Sequence, residues 1–294
     1  MKKILLIGGT GFLGSAIACQ LAHRLSSVDY SLTLPTRRRE RAKHLAVLPN
    51  AHVVEADVQD AATLARLMRG QDAVISLVGI LRGNFQRAHV DLPQKIAQAA
   101  QTAGVRRVLH VSALKAASDA PSDYLRSKAA GEAALQAAGL DLTIFRPSVI
   151  FGQGDSFLTL FAKLAKIAPF FPLACPEARF QPVWVEDVAA TVVASLIRPQ
   201  SVGQTYDLCG PRQYRLRELV AYAAATAGHP RRVLGLPDAI SWLQAWAMEF
   251  VPNGPMTRDN IRSMQVANVC DTNCGFPFGR EPSPLEAIAP GYLR

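Results

Sequence analysis

The stretch Gly8-Gly9-Thr10-Gly11-Phe12-Leu13-Gly14, GGTGFLG, follows MKKILLI directly, and its reading decides what the rest of the chain can be. Two lysines and an apolar run resemble the opening of a secretory signal. Only Ile4 to Ile7 are apolar before the glycines interrupt, however, whereas a secretory core needs about 7–15 such residues. No small-residue cleavage site follows. The reading that fits is a short buried strand, Lys3 to Gly8, a glycine turn, and a helix from Phe12 to Arg24. The glycines satisfy two spacings at once: Gly9, Gly11 and Gly14 fit G-x-G-x-x-G, and Gly8, Gly11 and Gly14 fit G-x-x-G-x-x-G. One glycine permits the tight turn, one lets the backbone approach a pyrophosphate, and Gly14 lets the helix pack close to the sheet. Gly11 is expected at positive φ. A diphosphate then sits on the amides at the helix N-terminus, around Phe12 and Leu13.

From this loop outward, strands and helices alternate. Strands are expected at Ile4–Ile7, Ser31–Leu34, Val53–Ala56, Ala73–Ser76, Val108–Ser112 and Leu142–Phe145. Helical patterns lie at Phe12–Arg24, Ala61–Met68, Gln86–Thr102 and Asp123–Ala138, with Gly104 and Gly139 placed as helix caps. Short apolar strands separated by helices argue for α/β architecture: a doubly wound parallel (Rossmann) sheet covered on both faces. After Pro147 the prolines crowd in (Pro169, Pro172, Pro176, Pro182), and helices such as Glu186–Ile197 and Arg217–Thr226 stand further apart. Residues 1–147 are therefore read as the dinucleotide-binding core. Residues 148–294 are read as a mixed region of late core elements and a smaller, irregular substrate lobe, with the ligand cleft between lobes.

The chain has 294 residues, 49% hydrophobic and 19% charged, as expected of a folded globular protein. No run approaches the roughly 18 apolar residues that would span a bilayer. The five cysteines are scattered and, without a secretory signal, read as reduced thiols of a cytoplasmic protein. Cys270 and Cys274 form the one close pair and lack the further ligands a zinc site needs, so no metal is expected. The net charge of +9 is partly one cluster, Arg37, Arg38, Arg39, Arg41 and Lys43. It has no interleaved aromatics, which argues against nucleic acid and for a local anionic ligand. Attraction to acidic phospholipid or an acidic partner stays open. The stretch Asp238–Val251 (DAISWLQAWAMEFV) is helical and nearly all apolar, with Trp242 and Trp246 one turn apart. Asp238, Ser241, Gln244 and Glu249 supply its polar positions, where a membrane-surface helix carries Lys or Arg. That favours a buried lid or a partner-covered helix.

An NAD site usually places an acid about 20 residues beyond the loop for the ribose hydroxyls. Here the second strand ends Leu34-Pro35-Thr36-Arg37-Arg38-Arg39, with no acid before Glu40. Guanidinium groups at Arg37 and Arg38 suit a 2′-phosphate, so NADPH is expected over NADH. Tyr124 and Lys128 are four apart on an expected helix and share a face. An ammonium beside a phenol favours the phenolate and lowers its pKa. Ser112 ends a parallel strand, where it can hydrogen-bond a substrate oxygen while Tyr124 moves the proton.

On the glycine loop, Asp57-Val58, Ser76 to Gly79, Ser112 and Tyr124 with Lys128, the chain resembles the extended or atypical branch of the short-chain dehydrogenase/reductase superfamily. HVSALKA, YLRSKAAGE, RPSVIFGQGDSF and QPVWVEDVA are similar, more narrowly, to the family around the NAD(P)-binding accessory subunit of respiratory complex I and its bacterial relatives. The resemblance implies that Gly8, Gly11, Phe12, Leu13 and Gly14 hold the diphosphate and that Asp57 and Val58 flank the adenine. It further implies that Ser76, Val78 and Pro147 line the cofactor and that Lys128 holds the nicotinamide ribose. Extended members commonly carry an asparagine where this chain reads Ala88-His89-Val90-Asp91, and His89 stands in its place. Two functions follow as expectations. One is an NADP-dependent oxidoreductase or epimerase-like enzyme using Ser112, Tyr124 and Lys128. The other is a non-catalytic NADPH-binding protein of assembly, of a quinone pathway or of sensing. Arg179 and Arg212 are the cations available to a nucleotide-sugar substrate. A cytoplasmic location, or a peripheral one at the inner face of a membrane, is expected.

Overall fold

The computed structural model describes residues 2–24, 30–251, 254–271 and 276–293; Cys274 lies outside them. The chain begins β1 (Lys2–Ile7), α1 (Phe12–Arg24), β2 (Tyr30–Thr36), β3 (Ala51–Glu55), α2 (Ala61–Met68), β4 (Ala73–Ser76) and α3 (Leu92–Ala103). It continues through β5 (Arg107–Val111), α4 (Asp123–Gln136) and β6 (Asp141–Pro147). Two short strands, β7 (Ile150–Phe151) and, after α5 (Leu158–Ile167), β8 (Phe170–Leu173), come next. They are followed by β9 (Arg179–Phe180), β10 (Val183–Trp184), α6 (Val185–Ser195) and β11 (Thr205–Leu208). The rest is β12 (Tyr214–Arg215), α7 (Leu216–Thr226), β13 (Arg232–Gly235), α8 (Asp238–Glu249), α9 (Arg258–Met264) and two four-residue helices, α10 (Leu285–Ile288) and α11 (Pro290–Leu293).

Seven strands form the main sheet in the order β11-β6-β5-β4-β1-β2-β3. The pairs from β3 to β6 are all parallel, with Leu5 opposite Val74 and Val108 opposite Leu142. This is the doubly wound α/β sheet expected from the alternation. Its apolar runs are buried because helices cover the sheet: Leu5, Ile7, Val74 and Val108 pack with Leu64 and Met68 of α2 and Ile96 and Ala100 of α3. The sequence reading did not identify β11. It joins at the edge through the Ile144 amide, which donates to Gln204 O at 3.0 Å.

The described residues form two compact units: 1–118, 127–146 and 186–206 in the first; 119–126, 147–185 and 207–294 in the second. Within the first, α6 is held to α1 by Gln20, whose amide donates to the Glu186 carbonyl at 2.8 Å and carboxylate at 2.5 Å. Within the second, α5 and α7 bury Leu158, Ala162, Leu219 and Ala223 with Phe151 and the C-terminal Leu285, Ala289 and Leu293.

Three expectations are corrected. The helix expected at Gln86–Thr102 opens as a six-residue π turn, Gln86–Asp91, before α3 begins. Pro93 has no amide to give the i−4 carbonyl of His89, so an ordinary α ladder cannot run through that point. Cys209 and Cys270 are not reduced thiols: they form a disulfide across 61 residues of chain, with Cα atoms 6.0 Å apart. Only the fold brings two such distant cysteines within bonding reach. Third, of the two readings of α8, a buried lid or a partner-covered helix, the buried lid is corrected: α8 does not bury its apolar side within the chain. Ser241 and Ala245 are buried, whereas Leu243 and Phe250 are 62% and 72% exposed. Among the described residues no helix is long and apolar enough to cross a membrane.

Candidate functional site

The glycine loop is built as its spacing implies, with one change of role. Gly8, at φ 84°, takes the left-handed conformation, and Gly11 is not among the positive-φ glycines. The turn closes with the Gly11 amide donating to Gly8 O at 3.1 Å and Ser15 to Gly11 O at 2.9 Å. A Cβ at Gly14 would lie 2.4 Å from Gly8 O and 2.5 Å from Gly9 Cα, so α1 can seat against the loop only with glycine there. A Cβ at Gly11 would meet only Gly8 O, at 3.3 Å, and Gly11 is exposed. That open face lies at the N-terminus of α1, where the first-turn amides of Phe12, Leu13 and Gly14 have no helix carbonyl to bond. Dipole and donors together make a cradle for a diphosphate.

Arg37, Arg38 and Arg39 follow β2 and are exposed. None forms an ion pair with another described residue. The Arg38 amide donates to Thr36 Oγ1 at 3.3 Å, which starts the 3₁₀ turn Arg39–Ala42. Nearby in the same unit, His44 Nε2 lies 3.2 Å from Ser15 Oγ of α1. After β3, Asp57 accepts the Gln59 amide at 2.9 Å and faces Arg87 at 3.8 Å, and Val58 packs on the core.

A buried polar cluster lies at the carboxyl ends of β4 and β5, the edge where open α/β sheets bind ligands. Ser76 and His110 are register partners there, and Ser112 follows β5 with its amide donating to Phe145 O at 2.7 Å. Ser112 Oγ and His110 Nδ1 are buried with no hydrogen-bond partner among the described residues. Lys128 of α4 is 3% exposed, and its ammonium donates to Val111 O at 3.0 Å and reaches Val78 O at 3.5 Å. Burial pushes its pKa down to about 8, partly opposed by Glu132 one turn further along α4. Glu132, itself buried, is clamped by the Arg146 guanidinium, with Nε at 2.9 Å.

His89 is buried in the π turn. Its Nε2 accepts the Ile80 amide at 3.0 Å, so the proton sits on Nδ1, which donates to Ser127 Oγ at 2.9 Å. Burial and then the Lys128 charge lower its pKa to about 3. His89 is thus a neutral strut between the loop after β4 and α4. The two segments meet closely at Gly131, where a Cβ would lie 2.1 Å from His89 O.

Ser112, Lys128, Ser76 and Val78 come together in the first unit. Tyr124 and Pro147 belong to the second. Tyr124 stands four residues before Lys128 on α4, and its amide donates to the Asp259 carboxylate at 3.0 Å. Burial pushes its phenol up to about 12, the reverse of the lowering expected from an ammonium one helix turn away. In the second unit Arg212 is already engaged, 3.4 Å from Glu286 and stacked over Tyr214, while Arg179 is exposed. The sequence reading missed Glu132, Ser127 and His110. For Glu132 a signal was present, since Tyr124, Lys128 and Glu132 recur every four residues on one helix stripe.

A sequence profile for NAD(P)H-binding proteins matches residues 8–161. The chain is 30% identical to the mitochondrial NADH dehydrogenase [ubiquinone] 1 alpha subcomplex subunit 9 of Mus musculus, over 98% of this chain and 79% of that protein. It is 32% identical to a ceramide reductase of Caulobacter vibrioides, over 80% of this chain and 74% of the relative. In fold it is similar to the NADPH-dependent quinone oxidoreductase of Escherichia coli complexed with NADPH (TM-score 0.79, 21% identity, 99% of each chain). The chain belongs to the NAD(P)H-binding family, on the extended short-chain dehydrogenase/reductase branch with the complex I subunit.

Proposed function

We propose that the chain is an NADP(H)-dependent oxidoreductase or epimerase-like enzyme whose working residues are Ser112, Tyr124 and Lys128. The observation that carries this reading is the Ser112 hydroxyl at the sheet's carboxyl edge, buried without a hydrogen-bond partner among the described residues and directly after Val111, whose carbonyl holds the buried Lys128 ammonium. A native fold seldom leaves such a group unpaired unless a ligand completes it. Gly8, Gly11, Phe12, Leu13 and Gly14 would hold the diphosphate, Arg37 and Arg38 the 2′-phosphate, and Lys128 the nicotinamide ribose. Asp57 and Val58 would flank the adenine, and Ser76, Val78 and Pro147 would line the cofactor. When bound, the nicotinamide would supply the hydride. Ser112 donates a hydrogen bond to the substrate oxygen, and Tyr124 passes the proton. His89, neutral across the physiological range, positions Ser127 through its Nδ1 proton and relays none to the substrate. The name of one relative, a ceramide reductase, and that of a protein of similar fold, a quinone oxidoreductase complexed with NADPH, support a reducible substrate of the carbonyl or quinone class and NADPH.

The second reading is a nucleotide-binding assembly protein without turnover. It is favoured by similarity to the complex I subunit along 98% of the chain. One experiment separates the two. Ligand released from the purified protein is identified by mass spectrometry, and NADPH oxidation is screened against carbonyls, quinones and nucleotide sugars with the parent and Tyr124→Phe. NADP(H) in the protein, parental turnover and a loss of about 10²-fold or more in Tyr124→Phe are expected. Equal rates in the two proteins defeat the assignment of Tyr124. Tightly bound NADPH with no turnover on any substrate favours the assembly reading.

A further inference from the structure

Helix α8 of the second unit is built inside out. Its inward residues are Ser241 and Ala245, both buried, and Gln244, which donates to Pro172 O of β8 at 3.1 Å. Its outward residues are Ile240, Leu243, Trp246 and Phe250, exposed at 50%, 62%, 46% and 72%. A helix facing only water and its own core places these residues the other way round. The apolar surface continues beside it. Pro172, which holds α8, is the register partner of Leu234, and Phe170 is that of Arg232. Phe170, Leu234 and Ile167 at the end of α5 are also exposed. Single exposed apolar residues are ordinary, but a continuous apolar face marks a binding surface.

The charges around this face select its occupant. Lys163 and Lys166 of α5, which leads directly into β8, and Arg232 of β13, the register partner of Phe170, are exposed. The acids of α8 are Asp238 at its first residue and Glu249, which is held by Arg258 at 2.8 Å. A second copy docked through a twofold axis would set the same cations against each other. We propose that this face docks on an anionic lipid surface. Leu243, Trp246 and Phe250 enter the headgroup–acyl boundary, and Lys163, Lys166 and Arg232 meet the lipid phosphates. The basic residues that α8 lacks on its own polar positions come from its neighbours. The proposal is independent of the reading of the cofactor site.

The test uses the full chain with phosphatidylcholine vesicles, with and without phosphatidylglycerol, read by co-sedimentation and tryptophan emission. Binding to the phosphatidylglycerol vesicles, a blue shift and weakening by salt are expected. Two double variants, Leu243→Ser with Phe250→Ser and Lys163→Glu with Lys166→Glu, should each bind about tenfold more weakly or worse. All four positions are exposed, so melting temperatures should match the parent, which shows that the variants fold. Absence of parental binding to anionic vesicles overturns the proposal, as does unchanged binding in both variants. A parental dimer that ignores vesicles and dissociates in the first variant overturns it in favour of a second copy.

Discussion

At the scale of one residue, Ser112 sets the proposed function against stability. Its hydroxyl is buried with no hydrogen-bond partner among the described residues, and an unsatisfied buried polar group costs about 1–3 kcal/mol. Ser112→Ala removes that group and keeps the packing volume of Cβ. The variant should therefore melt higher than the parent without ligand, by about 1 kcal/mol, while losing any NADPH-dependent turnover. Calorimetry and the turnover assay read the two effects separately. A lower melting temperature would mean that the hydroxyl has a partner. The type and place of this serine were legible from the end of an apolar strand. That its oxygen is left unpaired was not, because pairing depends on which groups the neighbouring strands and α4 bring near it.

Among elements, the turn from β1 into α1 divides an enclosed glycine from an open one, to which the proposed function gives the diphosphate. Gly14 is enclosed by the loop backbone at 2.4–2.7 Å from a Cβ position, whereas Gly11 opens outward. Gly11→Val should fold with a melting temperature near that of the parent and lose NADPH fluorescence enhancement, since the new side chain fills the phosphate space. Gly14→Val should lose about 3 kcal/mol or more of stability, because backbone must move to admit it. If both variants melt alike, the close approach of α1 to the loop is wrong. The helix starts at Phe12 and Ala61 matched the sequence reading because their signals, a glycine turn and the Asp60 cap on the Thr63 amide, are local. Helix α5 and strand β11 went unread. The first ends just before the prolines that begin at Pro169 and has no side-chain cap from its N-cap residue, and the second is a strand only because the β6 edge is there to pair with it.

Across the whole molecule, the buried bases of the first unit set how stability follows pH. Burial holds His89 down to about 3, and His110 is lowered too, by burial first and by Lys128 and His89 next. Unfolded histidine takes a proton below about 6.5, while these two stay neutral in the fold. The unfolded state then binds more protons, so stability is full above that pH and falls on acidification. The expected slope is about 1.4 kcal/mol per pH unit for each histidine. Lys128 acts with the same sign at alkaline pH: it is neutral in the fold above about 8 and charged when unfolded up to 10.5, so stability rises across that window. Urea unfolding between pH 7 and 5 should show the acid loss, and His89→Asn should shallow it by about half. An unchanged slope in that variant would show that His89 is not a buried neutral base.

The sequence by itself determined the α/β class, the glycine turn into α1 and the helix stripe that carries Tyr124 and Lys128, and its resemblance to known members pointed to the family. The first three rest on local spacing: a period of two or near four, or a glycine where a Cβ will not fit. Tertiary structure alone decided the Cys209–Cys270 bridge, the neutral state of His89, the unpaired hydroxyl of Ser112 and the outward apolar side of α8. Those depend on contacts between segments far apart in the chain. An apolar helix reads the same whether its large residues face a core or the solvent, until the neighbours that take its small side are in place.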